Sequence, residues 1–145
     1  MAREIIALDL PKVKELLTNV LGVSDYQKIE RMGGLTNHTY HVWLPNGEEY
    51  VVRIPGEGTE ELIVRKDERI SAELACRLDI DAKLLFFGED GSKVTEYIKD
   101  AETMSAETMN KAENIQLASN IFKKLHTSGV DTGVPFEVFD MAAGY

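Results

Sequence analysis

A short segment with two adjacent glycines is the first place in the sequence where residue types suggest chemistry. It lies between two strand-like runs and consists of Gly33, Gly34, Leu35, Thr36, Asn37 and His38. Glycines between paired strands let backbone N–H groups approach the oxygens of a phosphate, which larger side chains would hold away. Taken alone, an ordinary hairpin turn explains the two glycines better, so this segment is a candidate phosphate-covering loop only in the right surroundings.

A basic strand residue and an acidic helix residue supply such surroundings. Arg53 is the only basic residue in the strand-like run VVRIPG, and Glu68 lies on the next predicted helix. Phosphoryl transfer needs a cation on the phosphates that are not transferred, positioned by a carboxylate on the helix after the third strand. Each residue also has a simpler interpretation: Arg53 as a solvent-facing strand arginine, and Glu68 as one solvated glutamate among several.

Hydrophobic periodicity and turn residues predict the elements that would position these side chains. Helical spacing predicts helices at about 8–21 and 59–78, and a last long helix that Ser105 caps and that ends near Ser128-Gly129. Alternation predicts strands at about 26–32, 39–44, 49–54, 83–87 and 93–98, with Pro45-Asn46-Gly47 as the clearest turn. This order predicts an α+β fold in which helices flank a five-stranded antiparallel sheet.

Length, charge and cysteine content limit the classes of protein to which the sequence can belong. Its 145 residues suit one compact domain, and its net charge of −9 repels nucleic acid. Cys76 is the only cysteine, which excludes an internal disulfide and a cysteine-based zinc cluster and fits a reducing compartment. No stretch resembles a membrane span or a secretory signal. We therefore expect a soluble cytoplasmic protein with no nucleic-acid or membrane partner.

Four stretches in a fixed order resemble a known family. They are GGLTNHTYHV, EEYVVRIPG, the helix leading into LDIDAKLLFFGEDGSKVTEYI, and IFKKLHTSG, and they span about residues 26–129. Their combination resembles the choline and ethanolamine kinases and, more distantly, the aminoglycoside phosphotransferases, which share the protein-kinase-like fold. The bacterial choline kinases that supply phosphocholine to surface polysaccharides look closest. The resemblance implies a kinase-like N-terminal lobe at 1–100, then a connector, long helix and tail at 101–145 that lead to a C-terminal lobe.

The resemblance also implies a role for each candidate residue. The segment from Gly33 to His38 would cover the phosphates, and Arg53, paired with Glu68, would take the place that protein kinases give to lysine. A guanidinium there offers phosphate bidentate contact where lysine offers a point charge. Backbone amides of the connector would hold adenine, and the connector residues are Glu96, Tyr97 and Ile98. The family uses ATP with Mg²⁺, and the choline substrate is implied by the resemblance alone.

The residues that would perform the transfer are not found in the sequence. The family carries its catalytic aspartate in a His-x-Asp-x-x-x-x-Asn loop, which none of His38, His41 and His126 begins. We therefore expect no catalytic and no metal-binding residue in this chain, and a lobe that is inactive by itself. The alternative is a non-catalytic module derived from a kinase, which binds nucleotide, regulates or dimerises.

Apolar residues in the last third of the chain predict a homodimer. In a two-lobed kinase the connector and the helix after it pack against the second lobe, and an apolar patch left in water tends to find a partner. The residues concerned are Ile98, Met104, Ile121, Phe122, Leu125, Val134, Phe136, Val138, Phe139 and Met141. The alternative is a tail that folds back over its own lobe and covers the patch.

Overall fold

A computed structural model describes residues 6–34, 36–59 and 63–135. The strands are β1 (Lys28–Gly33), β2 (Asn37–Trp43), β3 (Glu49–Pro55), β4 (Leu84–Phe87) and β5 (Lys93–Glu96). The helices are α1 (Leu10–Leu16), which continues into a π-helical turn (Leu17–Leu21), α2 (Arg65–Arg77), α3 (Ala106–Met109) and α4 (Ala112–Thr127). Some predictions concern residues outside the described ranges, namely Leu35, the helix start at 60–62, Phe136, Val138, Phe139 and Met141.

The five strands form one antiparallel sheet in the order β1-β2-β3-β5-β4. The first three strands form a meander, and the hairpin of β4 and β5 joins it because β5 pairs with β3. Between β2 and β3, Gly47 has a φ of 86°, which glycine adopts without steric cost. The predicted α+β fold with a five-stranded antiparallel sheet is confirmed.

One face of the sheet packs against α1 and forms the core. Tyr40, Val42, Val52 and Val94 are fully buried on this face, together with Val13 and Leu17. Fully burying a valine or leucine side chain contributes about 1.5–3 kcal/mol to stability. Because side chains alternate along a strand, the odd-numbered residues of β3 and β5, which include Arg53, lie on the opposite face.

The first helix begins and ends where local residues predict. Asp9 occupies the N-cap position and Pro11 lies in the first turn, where its missing N–H costs no hydrogen bond. Gly22 ends the π-helical turn in the left-handed conformation. The Asp9 side chain makes no capping bond, and its carboxylate instead contacts β2.

The prediction of one long last helix is wrong, because the segment forms two helices. Ser105 does cap α3, through a reciprocal capping box with Thr108, but α3 has only four residues. Lys111 has an extended backbone and occupies the N-cap position of α4. The Asn114 side chain donates to the Thr108 carbonyl at 2.8 Å and satisfies the end of α3.

In the described ranges, no helix combines the length and the apolar composition that a membrane crossing requires.

Candidate functional site

The predicted pair of Arg53 and Glu68 is formed in the structure. Nη2 of Arg53, on β3, lies 2.6 Å from Oε1 of Glu68, on α2. The same Nη2 donates to the Gly91 carbonyl in the turn between β4 and β5, at 2.8 Å. The two side chains are 20% and 22% exposed, so water screens their attraction less than that of a surface pair. Contacts with α2 and with the turn between β4 and β5 therefore fix the side chain of Arg53 on β3.

Glu68 also binds a second arginine, which the sequence interpretation did not single out. Nη1 of Arg65 donates to Oε2 of Glu68 at 2.8 Å. Nη2 of Arg65 donates to the Thr59 hydroxyl, which in turn donates to the Gly56 carbonyl at 2.9 Å. This chain of bonds joins the end of β3 to the first turn of α2.

The glycine segment between β1 and β2 lies close against the end of β3. Gly34 has a φ of 116°, and a Cβ there would lie 2.2 Å from the Asn37 carbonyl oxygen. The Gly56 N–H donates to the Thr36 carbonyl at 2.9 Å, and a Cβ on Gly56 would lie 2.3 Å from that oxygen. Only glycine fits at either position, so the segment and the RIPG sequence approach each other backbone to backbone.

The His38 side chain lies on the core face of the sheet, opposite to the face that carries Arg53. Its Nδ1 lies 2.7 Å from Oδ2 of Asp9, and the Tyr40 hydroxyl donates to the same oxygen. Burial, and then this hydrogen bond, raise the pKa of Tyr40 to about 12. The structure thus separates the His38 ring from Arg53, and it ties the end of the glycine segment to the start of α1.

A cavity of about 190 Å³ opens on the face of the sheet that carries Arg53. Its lining consists of Thr39, Val51, Arg53, Asp81, Lys93 and Thr95. Arg53 and Lys93 are directly opposed on β3 and β5, and Lys93 Nζ lies 3.1 Å from Asp81 Oδ2. The sequence interpretation missed Lys93, although alternation from the buried Val94 places it on the same face as Arg53.

The connector residues begin with Glu96, the last residue of β5, and continue into the segment after it. The Glu96 N–H donates to the Lys83 carbonyl at 3.0 Å, and the Tyr97 N–H donates to the Glu49 carbonyl at 3.1 Å. The Glu96 side chain pairs with Lys83 at 2.6 Å, whereas the Ile98 side chain is 55% exposed. Two of the three predicted adenine-binding amides are therefore used within the sheet.

An aromatic stack lies beside the connector. The His41 ring stacks between Trp43 and Tyr97, with ring centroids 3.6 Å apart on each side. Its Nε2 lies 2.9 Å from Oε2 of Glu49. The other oxygen of Glu49, Oε1, lies 3.1 Å from Lys99 Nζ. Burial lowers the pKa of His41, and the hydrogen bond from Lys99 is the main cause that lowers the pKa of Glu49. At neutral pH the stack therefore holds a neutral imidazole against a carboxylate.

The described residues contain no group of three or more His, Cys, Asp or Glu side chains arranged to hold a metal ion. Two carboxylates lie near Arg53, Glu68 and Asp81, and each is already paired with a cation. Among these residues the arrangement suits the binding of an anion on the sheet face rather than the binding of a metal.

Comparison with known proteins shows the family to which the chain belongs. The family model for choline/ethanolamine kinase matches residues 29–138, which is more than half of the chain. Protein LicA of Haemophilus influenzae is 27% identical over 110 residues, which cover 75% of this chain and 32% of that protein. The chain thus spans about a third of the length of this relative.

Solved structures share the fold. The crystal structure of choline kinase LicA from Streptococcus pneumoniae has a TM-score of 0.75 at 32% identity, over 92% of this chain and 46% of that one. A crystal structure of LicA in complex with AMP has a TM-score of 0.74 at 32% identity, over 90% and 45%. An ethanolamine kinase from Plasmodium vivax has a TM-score of 0.69 at 20% identity, over 86% and 37%, which shows the fold alone. The family resemblance drawn from the sequence is confirmed, and the chain belongs to the choline/ethanolamine kinase family.

Proposed function

We propose that the chain is the nucleotide-binding lobe of a phosphotransferase that moves a phosphoryl group from ATP to choline. The pair of Arg53 and Glu68 beside the glycine segment carries the proposal, because phosphoryl transfer uses a strand cation held by a helix carboxylate. Two similar structures are named choline kinase LicA and LicA in complex with AMP, which supports the choice of substrates. In this proposal the lobe extends to about residue 100, and the later residues connect it to the rest of the enzyme.

Each group in the proposed site has a task. Backbone N–H groups of the segment from Gly33 to His38 cover the phosphates, and the His38 ring anchors the segment to Asp9 instead of touching the nucleotide. Arg53 binds the phosphates that stay on ADP, and Glu68 orients its guanidinium. The connector holds adenine. Since the amides of Glu96 and Tyr97 donate within the sheet, we assign the base to the Ile98 N–H.

Two parts of the reaction are not supplied by these residues. The sequence holds no His-x-Asp-x-x-x-x-Asn loop, so no residue is assigned as the base that receives the proton of the alcohol. Mg²⁺ would neutralise the phosphates, but the described residues offer it no group of three ligands, and we assign it no step here. The chain by itself is therefore proposed to bind nucleotide and to transfer no phosphoryl group.

Titration of the purified chain with MgATP, followed by nuclear magnetic resonance, tests the proposal. Because this lobe supplies only one wall of the cleft, we expect a dissociation constant poorer than about 0.1 mM, which corresponds to a binding free energy of less than about 6 kcal/mol. Arg53→Ala should weaken binding about tenfold or more, because a hydrogen bond to a charged group contributes about 1.5–3 kcal/mol. The control is Arg77→Ala, which removes an exposed arginine at the end of α2. Equal binding by wild type and Arg53→Ala would refute the assignment of Arg53.

A non-catalytic module that binds nucleotide or dimerises is the second candidate, and the surface of α4 favours it. Apolar side chains along this helix are exposed, namely Ile115, Leu117, Ile121, Phe122 and Leu125, with Phe122 the most exposed at 60%. Apolar surface of this kind tends to find a partner. Low-micromolar binding of MgATP by the chain alone would favour this candidate. For both candidates we propose a cytoplasmic location and no nucleic-acid or membrane partner.

A further inference from the structure

Two arginines share one carboxylate beside the proposed phosphate site. Oε1 of Glu68 lies 2.6 Å from Arg53, and Oε2 of Glu68 lies 2.8 Å from Arg65. Guanidinium groups keep their charge throughout the physiological pH range. The three side chains therefore sum to a charge of about +1, in a cluster whose members are at most 22% exposed.

Arg65 is held in one orientation by its surroundings. Its side chain is only 12% exposed, and its two terminal nitrogens donate to Glu68 and to Thr59. Its guanidinium crosses Gly91, where a Cβ would lie 2.6 Å from Nε of Arg65. Any rotation of Arg65 would break a buried charge-assisted hydrogen bond, which is costly.

Arg53 and Arg65 lie on opposite sides of the carboxylate. Arg53 lines the cavity of about 190 Å³ on the sheet face. Arg65 instead lines a separate cavity together with Lys66, Arg69, Gly88 and Glu89. An influence of Arg65 on a phosphate in the first cavity can therefore pass through Glu68, pass through Gly91, which both arginines contact, or act through its charge alone.

We propose that Arg65 is a positioning residue for the nucleotide site: it fixes one oxygen of Glu68 so that the other oxygen orients Arg53 toward the phosphates. This inference rests on the proposed function. A carboxylate with one oxygen fixed has fewer rotamers to lose, which lowers the entropic cost of ordering Arg53 when phosphate binds. The surplus positive charge also makes the cluster complementary to an anion, although the whole chain carries −9.

A double-mutant cycle on MgATP affinity separates positioning from charge. The full 145-residue chain is titrated as wild type, Arg65→Met, Glu68→Ala and the double variant, and nuclear magnetic resonance reports each affinity. Positioning predicts that Arg65→Met weakens binding about five- to tenfold in the wild-type background and less than about twofold in the Glu68→Ala background. Arg65→Lys keeps the charge and one donor, so it should restore part of the affinity. Lys123→Met, which removes an exposed charge on α4, is the matched control.

Three results would overturn the inference. An equal loss from Arg65→Met in both backgrounds would mean that its charge acts alone, and an unchanged affinity in Arg65→Met would mean that it has no role. Wild type that does not bind MgATP would overturn the proposed function and this inference with it, before any variant is compared. Circular dichroism verifies that each variant is folded, and Glu68→Gln replaces Glu68→Ala as the second background if the alanine variant unfolds.

Discussion

The wild-type chain should lose stability at alkaline pH, and replacing Tyr40 with phenylalanine should reduce this loss. Tyr40 is fully buried, and its hydroxyl donates to Asp9, which also contacts His38 in the glycine segment. Burial, followed by the bond to Asp9, raises the pKa of Tyr40 from 10.0 to about 12. The phenol of the folded chain thus stays protonated over a range in which the phenol of the unfolded chain ionises.

The sign and the size of the effect follow from this difference. Because the folded pKa is raised, the stabilisation is fully present below pH 10 and is lost as the pH rises toward 12. A shift of this size corresponds to about 2–3 kcal/mol at most. At neutral pH, Tyr40→Phe should lower the free energy of unfolding by only about 0.5–1.5 kcal/mol, because Asp9 keeps its contact with His38. Asp9→Ala should cost about 1–3 kcal/mol, because it leaves a buried hydroxyl without an acceptor.

Urea unfolding at about pH 8, 10 and 11.5 measures these quantities. The free energy of unfolding of wild type should fall to that of Tyr40→Phe or below it as the pH rises, while Tyr26→Phe, which removes a phenol away from Asp9, should follow wild type. If wild type and Tyr40→Phe lost the same stability between the lowest and the highest pH, the argument from the buried phenol would be refuted.

Three further predictions concern activity, acid and assembly. The purified chain should release no ADP in response to choline or ethanolamine, with Arg53→Ala as the control for contaminating host kinase; release above that control would contradict the proposal. Stability should fall as the pH drops below about 6.5, because the lowered pKa values of His41 and Glu49 disfavour proton uptake in the folded state. His41→Phe should show a smaller fall between about pH 6.5 and 5 in the same urea assay, and an unchanged fall would dismiss His41 as its source. Sedimentation at about 100 μM should show a homodimer that Phe122→Asp converts to a monomer, whereas wild type at the monomer mass of 16.2 kDa would exclude the dimer.

The sheet was predictable because its determinants are local. Gly47 requires a turn whatever surrounds it, and alternation assigns each strand residue to a face. The pairing of Arg53 with Glu68 was instead implied by the resemblance to the choline and ethanolamine kinases, because α2 also carries Asp67 and Glu73 and chain order does not choose among them. All strand boundaries agree with the prediction within two residues, and β5, for example, ends at Glu96 rather than at residue 98.

The residues that were missed depend on contacts between distant parts of the chain. Asp9 is a reasonable capping residue in sequence, yet its carboxylate binds His38 and Tyr40 of β2, which lie 29 and 31 residues later in the chain. Arg65 and Glu68 have the i,i+3 spacing of an ordinary surface pair, and only the close passage of Gly91 shows that Arg65 is buried. The sequence does not reveal the break between α3 and α4, because the apolar spacing continues through it. The hydrogen bond that satisfies the end of α3 comes from the side chain of Asn114.

The two faces of the sheet separate the apolar core from the proposed site. The core face is held by apolar burial against α1, which is insensitive to salt. None of the 13 residues of α2 is fully buried, and the contacts that fix its first turn are charged bonds of Arg65 and Glu68. Near its other end, Cys76 Sγ accepts a weak bond from the Leu84 N–H at 3.3 Å. The charged bonds of Arg65 and Glu68 therefore contribute to the placement of Glu68 beside half-buried packing, so the geometry of the proposed site can change while the core stays intact.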